Sequence, residues 1–419
     1  HAGGNADLLP LKENSGVSFA GVFPLGMGFT FDDTDRKGIA SSIREMDRLK
    51  SESLTNAERI FPFLGGEELN NNPSHAHHRY IIDFADFPLE RRSLNKDWQH
   101  SSTQEKAEML RTGIVPIDYP EPVAADWPDL LRIVKERVKP SRDTDNRENY
   151  ARLWWQFAER RPGMLNALNG KSRILVQCRI STWLSFVITE TGKVFDISLN
   201  VFPLEGPLQG FAILQSRLHE VWARFMASSM KDDLRYTPSD CFETFPFPVG
   251  YESNSTLEEA GKAYYEFRAD LMIRNNEGLT KTYNRFHDPN VDSADVQHLR
   301  ELHAGMDRAV LDAYGWRDIQ PVCAFFPEFD EEDEEDENGR PKKKRFRFRW
   351  PEEIHDEVLA RLLELNRQRA LEEGQILVPA NSPDGPSENT SRRTAKKSTR
   401  KSKAADSPGP LFVETEEEA

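Results

Sequence analysis

Three consecutive segments in the middle of the chain alternate apolar and polar residues with a period of two, which is typical of β-strands with one buried face. The segments are SRILVQCRI at 172–180, WLSFVIT at 183–189 and KVFDISLNV at 193–201. In the third segment, polar residues stand between the apolar residues Phe195, Ile197, Leu199 and Val201. The pattern predicts a small curved sheet with an apolar side in the core and a polar side turned away from it.

Apolar residues recur at helical spacing on both sides of these strands. Helices are predicted over DWPDLLRIVKERVKP (126–140), FAILQSRLHEVWARFM (211–226), STLEEAGKAYYEFRADL (255–271) and DSADVQHLRELHAGMDRAVLDAYGW (292–316). The last two are expected to form a helical hairpin. A further strand is predicted at 79–84 (RYIIDF), and IFPFLGGEELNNNP at 60–73 is predicted to be a loop. Together these elements indicate a mixed α/β fold.

Length and composition narrow the class of protein. A chain of 419 residues is long enough for two or three domains that each bury a core. Three scattered cysteines are too few for a disulfide framework, which favours a reducing compartment, and we expect the cytoplasm. No apolar run reaches about 18 residues, so no membrane partner is expected. The chain begins with His1, and we expect it to be the C-terminal portion of a longer protein.

The net charge of -15 is unevenly distributed. Nine acidic residues lie in EFDEEDEEDE at 328–337, and seven basic residues follow in RPKKKRFRFRW at 340–350. The C-terminal tail adds RRTAKKSTRKSK at 392–403. Each run has two interpretations, a solvated mobile segment or a patch that attracts phosphate without regard to sequence.

Candidate catalytic and metal-binding groups do not form a complete set. The histidines of HAHH at 75–78 lie in a polar context without an evident second shell, and no metal site is expected there. Ser216 and His219 share a predicted helix without an orienting acid. LGMGF at 25–29 lacks the flanking strand, helix and acid of a dinucleotide site. We therefore expect no catalytic residue in this chain.

An ordered series of motifs resembles the C-terminal half of large adenine-specific DNA methyltransferases, namely the MmeI-like type IIL restriction-modification enzymes and related phage-defence methylases. The resemblance covers roughly positions 8 to 318. The motifs are GVFPLGMGFTF, FPFLGGEELNNNPSHAHHRYIIDF, VKPSRD, WWQFAERRPGM, LQSRLHEVWARF, RYTPSDCFETFPFP, LTKTYNRFHDP and LRELHAGMDRAVLDAYGW.

The resemblance implies a target recognition domain with a small curved sheet and flanking helices, followed by a helical domain. We assign residues 1–248 to the recognition domain, including a connector to a missing methyltransferase domain. The helical domain is assigned to 249–372, with an acidic and basic insert at 328–349, and a disordered charged tail to 373–419. RYTPSDCFETFPFP at 235–248 would be an extended connector between the two domains, anchored by its phenylalanines.

In such enzymes an upstream domain carries a glycine-rich S-adenosylmethionine loop and an Asn-Pro-Pro-aromatic motif that grips a flipped-out adenine. Neither motif occurs here, and NNNPSH has one proline and no aromatic residue after it. The resemblance thus implies a chain that reads double-stranded DNA for a methyltransferase domain or subunit. The cofactor belongs to the complete enzyme, and this chain alone is predicted to be inactive.

Recognition domains of this kind look similar in using residues two apart on strands to choose a base pair. The base-reading candidates are Arg179, Ser181, Asp196, Ser198 and Asn200, and their alternative role is the solvated side of a half-exposed sheet. The phosphate-contact candidates are Arg160, Arg161, Lys171, Arg173, Arg235 and Tyr236. Two rival hypotheses are a stand-alone specificity or scaffold subunit that binds protein partners, and a degenerate fragment without activity.

Overall fold

A computed structural model describes residues 8–230, 233–328 and 345–375, which group into one compact unit. The predicted tail from 376 onward and most of the charged insert lie outside these residues. The predicted boundary between two domains at 248 stays a prediction. Among the described residues, no helix has both the length and the apolar character needed to cross a membrane.

The strands are short and widely spread along the chain. They are β1 (Phe19–Ala20), β2 (Thr30–Phe31), β3 (Ile60–Leu64), β4 (Arg79–Ile82), β5 (Glu90–Arg92), β6 (Ile114–Pro116), β7 (Arg173–Cys178), β8 (Ile180–Ser181), β9 (Phe186–Glu190), β10 (Val194–Phe195), β11 (Leu199–Phe202), β12 (Ser228–Met230), β13 (Asp233–Arg235), β14 (Ala324–Pro327) and β15 (Phe346–Arg349).

The helices alternate with these strands and dominate the C-terminal part of the described chain. They are α1 (Ile43–Glu52), α2 (Gly66–Asn71), α3 (Thr103–Thr112), α4 (Pro128–Arg137), α5 (Lys139–Asp143), α6 (Glu148–Arg152), α7 (Pro162–Leu168), α8 (Pro207–Gln215), α9 (Arg217–Met226), α10 (Pro238–Cys241), α11 (Ser255–Asn275), α12 (Leu279–Phe286), α13 (Ala294–Ala313) and α14 (Glu352–Glu372).

The predicted mixed α/β class is confirmed, with small sheets rather than one large one. An antiparallel sheet has the strand order β1-β11-β7-β9, and a second four-stranded sheet has the order β10-β3-β4-β2. Helix α8 packs on β7 and β9, and α11 packs on both α8 and α13. The helices and the antiparallel sheet therefore share one hydrophobic core.

The chain passes from one sheet to the other within the third predicted strand. β10 pairs in parallel with β3, whereas β11 pairs with β1 and β7. Asp196, Ile197 and Ser198 form the turn between them. One alternating segment thus supplies two strands of different sheets, and its polar residues do not share a face.

Two local predictions are wrong. The predicted loop at 60–73 contains β3 and α2, because the Glu68 carboxylate accepts a hydrogen bond from Gly65 N at 3.1 Å and pairs with Arg79. The predicted helix at 211–226 is two helices, α8 and α9, and Ser216 caps the second by accepting a hydrogen bond from His219 N. Both differences arise from hydrogen bonds that the apolar spacing does not report.

The segment 235–248 is not an extended connector. Pro238 begins the short helix α10, and Phe242, Phe245 and Phe247 are all buried in the common core. Phe245 meets His219 edge to face, with ring centroids 4.6 Å apart. The phenylalanines are anchors, as expected, and the segment lies within the described compact unit.

Distant parts of the chain tie this segment down through its backbone. The Asn14 side-chain amide donates to the carbonyls of Phe242 and Phe245, and Leu11 N donates to Glu243 O at 2.7 Å. Asn366 of α14 donates to Thr244 O at 2.7 Å. Such bonds satisfy buried carbonyl groups that an irregular segment would otherwise leave unpaired.

Candidate nucleic-acid interface

The polar side of the predicted sheet is packed inward, which overturns one base-reading candidate. Asn200 is fully buried, and its amide donates to Gln177 Oε1 at 3.0 Å and to Tyr236 O at 3.1 Å. Gln177 is 1 % exposed. β7 and β11 are the central strands of their sheet, and residues 174–178 and 199–202 in them are buried. The polar residues of the alternating pattern, Gln177 and Asn200, therefore pair with each other inside the protein. In this conformation Asn200 has no surface with which to touch a base.

Tyr236, a phosphate-contact candidate, is also fully buried. Its hydroxyl lies 3.0 Å from His219 Nε2, and its ring packs edge to face against Phe186 and Phe202. Burial lowers the pKa of His219 to about 3 and raises the pKa of Tyr236, so the pair stays neutral. Tyr236 therefore supports the core and is withdrawn from the phosphate set.

The remaining base-reading candidates lie where the strands end. Just beyond β7, Arg179 N donates to Ser198 O at 2.9 Å, and the Arg179 guanidinium donates to Ile197 O at 3.2 Å. These bonds hold the 196–198 turn directly beside Arg179. The Arg179 side chain is partly exposed, in contrast to the buried residues 174–178 of β7.

The turn itself is stabilised from within and from the second sheet. The Asp196 carboxylate accepts a hydrogen bond from Ser198 N at 2.9 Å, and the exposed Ser198 hydroxyl accepts one from Gly66 N at 2.9 Å. Gly21 leaves room for this arrangement, since a Cβ on it would lie 2.1 Å from Asp196 O. Asp196 and Ser198 are thus held on a rigid turn.

A small antiparallel sheet, β12-β13-β8, also adjoins Arg179. Arg235 of β13 pairs with Ile180 of β8, and Tyr236 N donates to Arg179 O at 2.8 Å. Ser181 pairs with Leu234 in the same register and is partly exposed. Arg235 is exposed, while its neighbour Tyr236 points inward.

Arg161 lies near the same residues, at the start of α7. It has φ of 58°, a left-handed conformation that is uncommon for a residue with a side chain. Its Nε lies 3.4 Å from Gly21 O, and its guanidinium pairs with the Glu159 carboxylate. We name the partly or fully exposed group formed by Arg161, Arg179, Asp196, Ser198 and Arg235 the Arg179 edge.

The charges of the Arg179 edge influence one another. Burial, with the nearby Arg235 and Arg161 guanidinium groups, lowers the pKa of Arg179, and Glu159 and Asp196 oppose that shift. Three like charges held close together are an arrangement that an anionic ligand relieves. Glu159 was not a candidate from the sequence, and the structure holds its backbone in a bridge to Phe23.

Other phosphate candidates lie away from this edge. Lys171 pairs with Glu205, and Arg173 lies at the opposite end of β7. Arg173 and Arg179 are six positions apart, or about 20 Å along an extended strand. Arg160 lies 3.5 Å from the Asp86 carboxylate. These three residues do not belong to the Arg179 edge.

The histidines at 75–78 are bound to neighbouring protein atoms. His75 Nδ1 lies 2.9 Å from Leu69 O, burial lowers its pKa to about 4, and His78 Nδ1 lies 3.4 Å from a Glu68 oxygen. Within the described ranges, the group of three with metal-type donors within 4.8 Å of one another is Glu352, His355 and Asp356, which lie at the exposed start of α14.

Comparisons with known proteins point to the region that contains the edge. The family description "MmeI, target recognition domain" matches residues 124–249. Among solved structures, the type IIL restriction-modification enzyme MmeI in complex with DNA has a similar fold, with a TM-score of 0.50 and 16 % sequence identity. The match covers 84 % of this chain and 35 % of the MmeI chain, so this chain spans about a third of that enzyme's length. No curated protein sequence matches this chain.

Proposed function

We propose that this chain, which carries an MmeI-type target recognition domain at residues 124–249, binds double-stranded DNA in a sequence-specific manner through the Arg179 edge. The observation that carries the proposal is the convergence of Arg161, Arg179 and Arg235 beside Asp196 and Ser198. All five residues lie within the matched domain. The edge residues are partly or fully exposed, whereas the central strands behind them are largely buried.

The chemistry of the edge suits a major groove. An arginine can donate two hydrogen bonds to guanine O6 and N7, and a carboxylate can accept one from cytosine N4. Arg179 and Asp196 present these two groups from neighbouring segments joined by backbone hydrogen bonds. We infer that they read one base pair or two adjacent ones, and that Ser181 and Ser198 add hydroxyl contacts.

Arg161 and Arg235 flank these two residues and are suited to phosphate contact, which fixes position without reading sequence. The tilt of the protein on the duplex would decide whether Arg160, Lys171 and Arg173 reach phosphates farther along. Phosphates about 20 Å from the base pair that Arg179 contacts lie within one turn of the double helix. These three remain outer phosphate candidates.

We further propose that the chain delivers a target adenine to an S-adenosylmethionine-dependent methyltransferase domain or subunit, in restriction-modification or phage defence. The sequence lacks the glycine-rich loop and the Asn-Pro-Pro-aromatic motif, so its own residues do not supply the cofactor site. When bound to the complete enzyme, the cofactor would donate the methyl group, and this chain would position the DNA. The expected location is the cytoplasm, where DNA and the cofactor meet.

Selection from a pool of random duplexes, using the full chain, tests the proposal. We expect an enriched site, and an affinity that falls steeply with salt because phosphate contacts release counterions. Asp196→Asn keeps the acceptor for Ser198 N and should change the preferred base at one position. Arg173→Ala removes a charge far from the edge and serves as the matched control, with the preferred site unchanged.

Two results would contradict the proposal. If no site is enriched and affinity for duplex DNA does not depend on salt, the protein-scaffold hypothesis is favoured instead. If Asp196→Asn, like the control Arg173→Ala, leaves the preferred site unchanged and weakens binding to every sequence by the same factor, Asp196 does not read a base. A methyl-transfer assay of this chain alone with labelled cofactor should be blank, and activity would show that the chain contains its own active site.

A further inference from the structure

The residues next to the Arg179 edge are held by an arginine that is far away in sequence. Arg347 lies on β15, and its guanidinium donates to Thr182 O at 3.2 Å. The same group stacks on the Trp183 ring, 4.7 Å from the ring centroid. Thr182 and Trp183 directly follow β8, which pairs with Arg235. Arg347 therefore holds the backbone in place at Thr182, three residues after Arg179.

Trp183 is also held by a stacked ring and at its ring nitrogen. The His287 ring stacks on it with centroids 4.1 Å apart and planes 11° apart, and Trp183 Nε1 donates to Asn284 Oδ1 at 2.8 Å. His287 Nδ1 in turn accepts a hydrogen bond from Phe348 N at 3.0 Å, next to Arg347. Trp183 thus contacts both α12 with its following loop and β15.

Carboxylates hold Arg347 in place. Its Nε donates to Glu328 at 2.7 Å, and its Nη1 lies 3.4 Å from Glu220 of α9. Arg347 is 5 % exposed, and burial together with the nearby Arg224 lowers its pKa to about 10, so it remains charged at neutral pH. A buried guanidinium with these partners is unsuited to DNA contact. The sequence assigned it to a basic run, but its role is internal.

We propose that Arg347 is a positioning residue for base recognition, which fixes the backbone at Thr182 and the ring of Trp183 and so sets where Arg179 meets its base. This inference rests on the proposed DNA-reading function. It brings into the recognition apparatus a residue that lies about 100 positions beyond the matched domain, which ends at residue 249.

The physical reason is the narrow tolerance of a two-hydrogen-bond contact with a base. Such contacts require the side chain to stay within about 0.5 Å and 10–20° of its productive geometry. On the opposite side of Thr182, its hydroxyl donates to Asp233 of β13 at 2.7 Å. Thr182 is therefore held between β13 and β15, and loss of Arg347 would free one side of it.

The test measures the ratio of affinities for the selected site and for a scrambled duplex, using the full chain. Arg347→Met should lower this ratio about tenfold, within the range for one lost base contact, while affinity for the scrambled duplex changes less than about twofold. Arg347→Lys keeps the charge beside Glu220 and Glu328 but cannot both bond Thr182 O and cover Trp183. It should lower the ratio by a smaller factor.

A matched control lies two residues along the same strand. Arg349 pairs with Glu352 at 3.0 Å and stacks on Phe326, away from Thr182. Arg349→Met removes the same charge and should leave the ratio unchanged. Repeating the random-duplex selection with Arg347→Lys should relax the same base position that Arg179→Ala relaxes, which a general loss of folding would not do.

The outcomes separate this inference from the proposed function. If the unaltered chain selects a site and folded Arg347→Lys keeps the full ratio, the inference is wrong and the proposed function stands. An equal loss for selected and scrambled duplexes in a folded variant would also overturn it, because that pattern indicates phosphate contact. If the unaltered chain selects no site, both fail together. Should Arg347→Met not fold in a thermal melt, Arg347→Lys decides alone.

Discussion

Two pairs of neighbours in this sequence have opposite fates in the structure. Ser198 is exposed on the turn and Asn200 is fully buried two residues later, and exposed Arg235 precedes fully buried Tyr236. The sequence assigned all four to DNA contact. The buried pair joins the core through Gln177 and His219, whereas Ser198 and Arg235 belong to the Arg179 edge.

The difference shows what polar alternation means in a sheet that is covered on both faces. A polar residue there is paired inside, because an unpaired buried amide or hydroxyl is costly. At this end of the sheet, solvent is reached where the strands stop, at Arg179 and the 196–198 turn. Recognition is therefore expected at the end of the sheet, and the buried polar residues are expected to affect stability alone.

The largest expected effect is on the buried side. Tyr236→Ala should lower the free energy of unfolding by about 3–5 kcal/mol, the usual cost of removing a large buried ring. Chemical denaturation measures this loss, and Tyr236→Phe, which keeps the ring and loses only the bond to His219, should cost about 1 kcal/mol. A Tyr236→Ala protein with full stability but a changed DNA site would mean that the ring reaches the duplex.

Acid should weaken the same buried region. His219 is buried neutral with its pKa lowered to about 3, so the unfolded chain binds a proton below about pH 6.5 that the folded chain refuses. Its contribution is complete above that pH and is lost as the pH falls toward 3. As the pH falls from 7 to 5, protonation of His219 in the unfolded chain should lower the free energy of unfolding by about 2 kcal/mol.

Denaturation of the unaltered chain and of His219→Gln at both pH values isolates this contribution. The variant should lose about 2 kcal/mol less on acidification than the unaltered chain. Glu220 is the charged group that opposes the shift at His219, and both proteins keep it. Equal losses in the two proteins would show that His219 is not buried neutral.

At the edge, Arg179→Ala should change discrimination rather than stability. Loss of one two-hydrogen-bond contact to a base should cost about 1.5 kcal/mol of preference at a single position. Competition binding with duplexes altered one base pair at a time measures this cost, and the melting temperature should move little. A uniform loss across all duplexes would place Arg179 among the phosphate contacts.

The smallest expected effect is at Arg235. Arg235→Ala should weaken binding to all duplexes by less than about 1 kcal/mol and should lower the slope of log affinity against log salt by about 1. Titrations at several salt concentrations measure the slope, with Arg173→Ala as the comparison from the far end of β7. A changed base preference would instead show that Arg235 reads sequence.

Elements with a strong local pattern were predictable from the sequence. The strands near 172–180 and 183–189 are present as β7 and β9, Pro128 begins α4, and the long apolar stripes form α11 and α13. In each case residues near in sequence determine the outcome.

Other features depend on partners far along the chain, so local patterns were silent or misleading. The helix α2 follows from the bond between Glu68 and Gly65 and from the ion pair with Arg79. The burial of Asn200 follows from cover on both faces of β11, which alternation cannot report. Arg347 was hidden in a basic run, and only the fold brings it to Thr182.

The grip of β15 on Trp183 bears on how this protein could be recombined with relatives. If residues 124–249, the range of the family match, are exchanged as a cassette, Arg347 and His287 stay behind. Phe19 of β1 and Phe63 of β3, which pair with β11 and β10, stay behind as well. In a chimera with these boundaries, the donor's residue at position 183 would pack against Arg347 of the host chain. Grafts that transplant β14 and β15 with the cassette should therefore inherit the donor's selectivity more faithfully than grafts of the cassette alone.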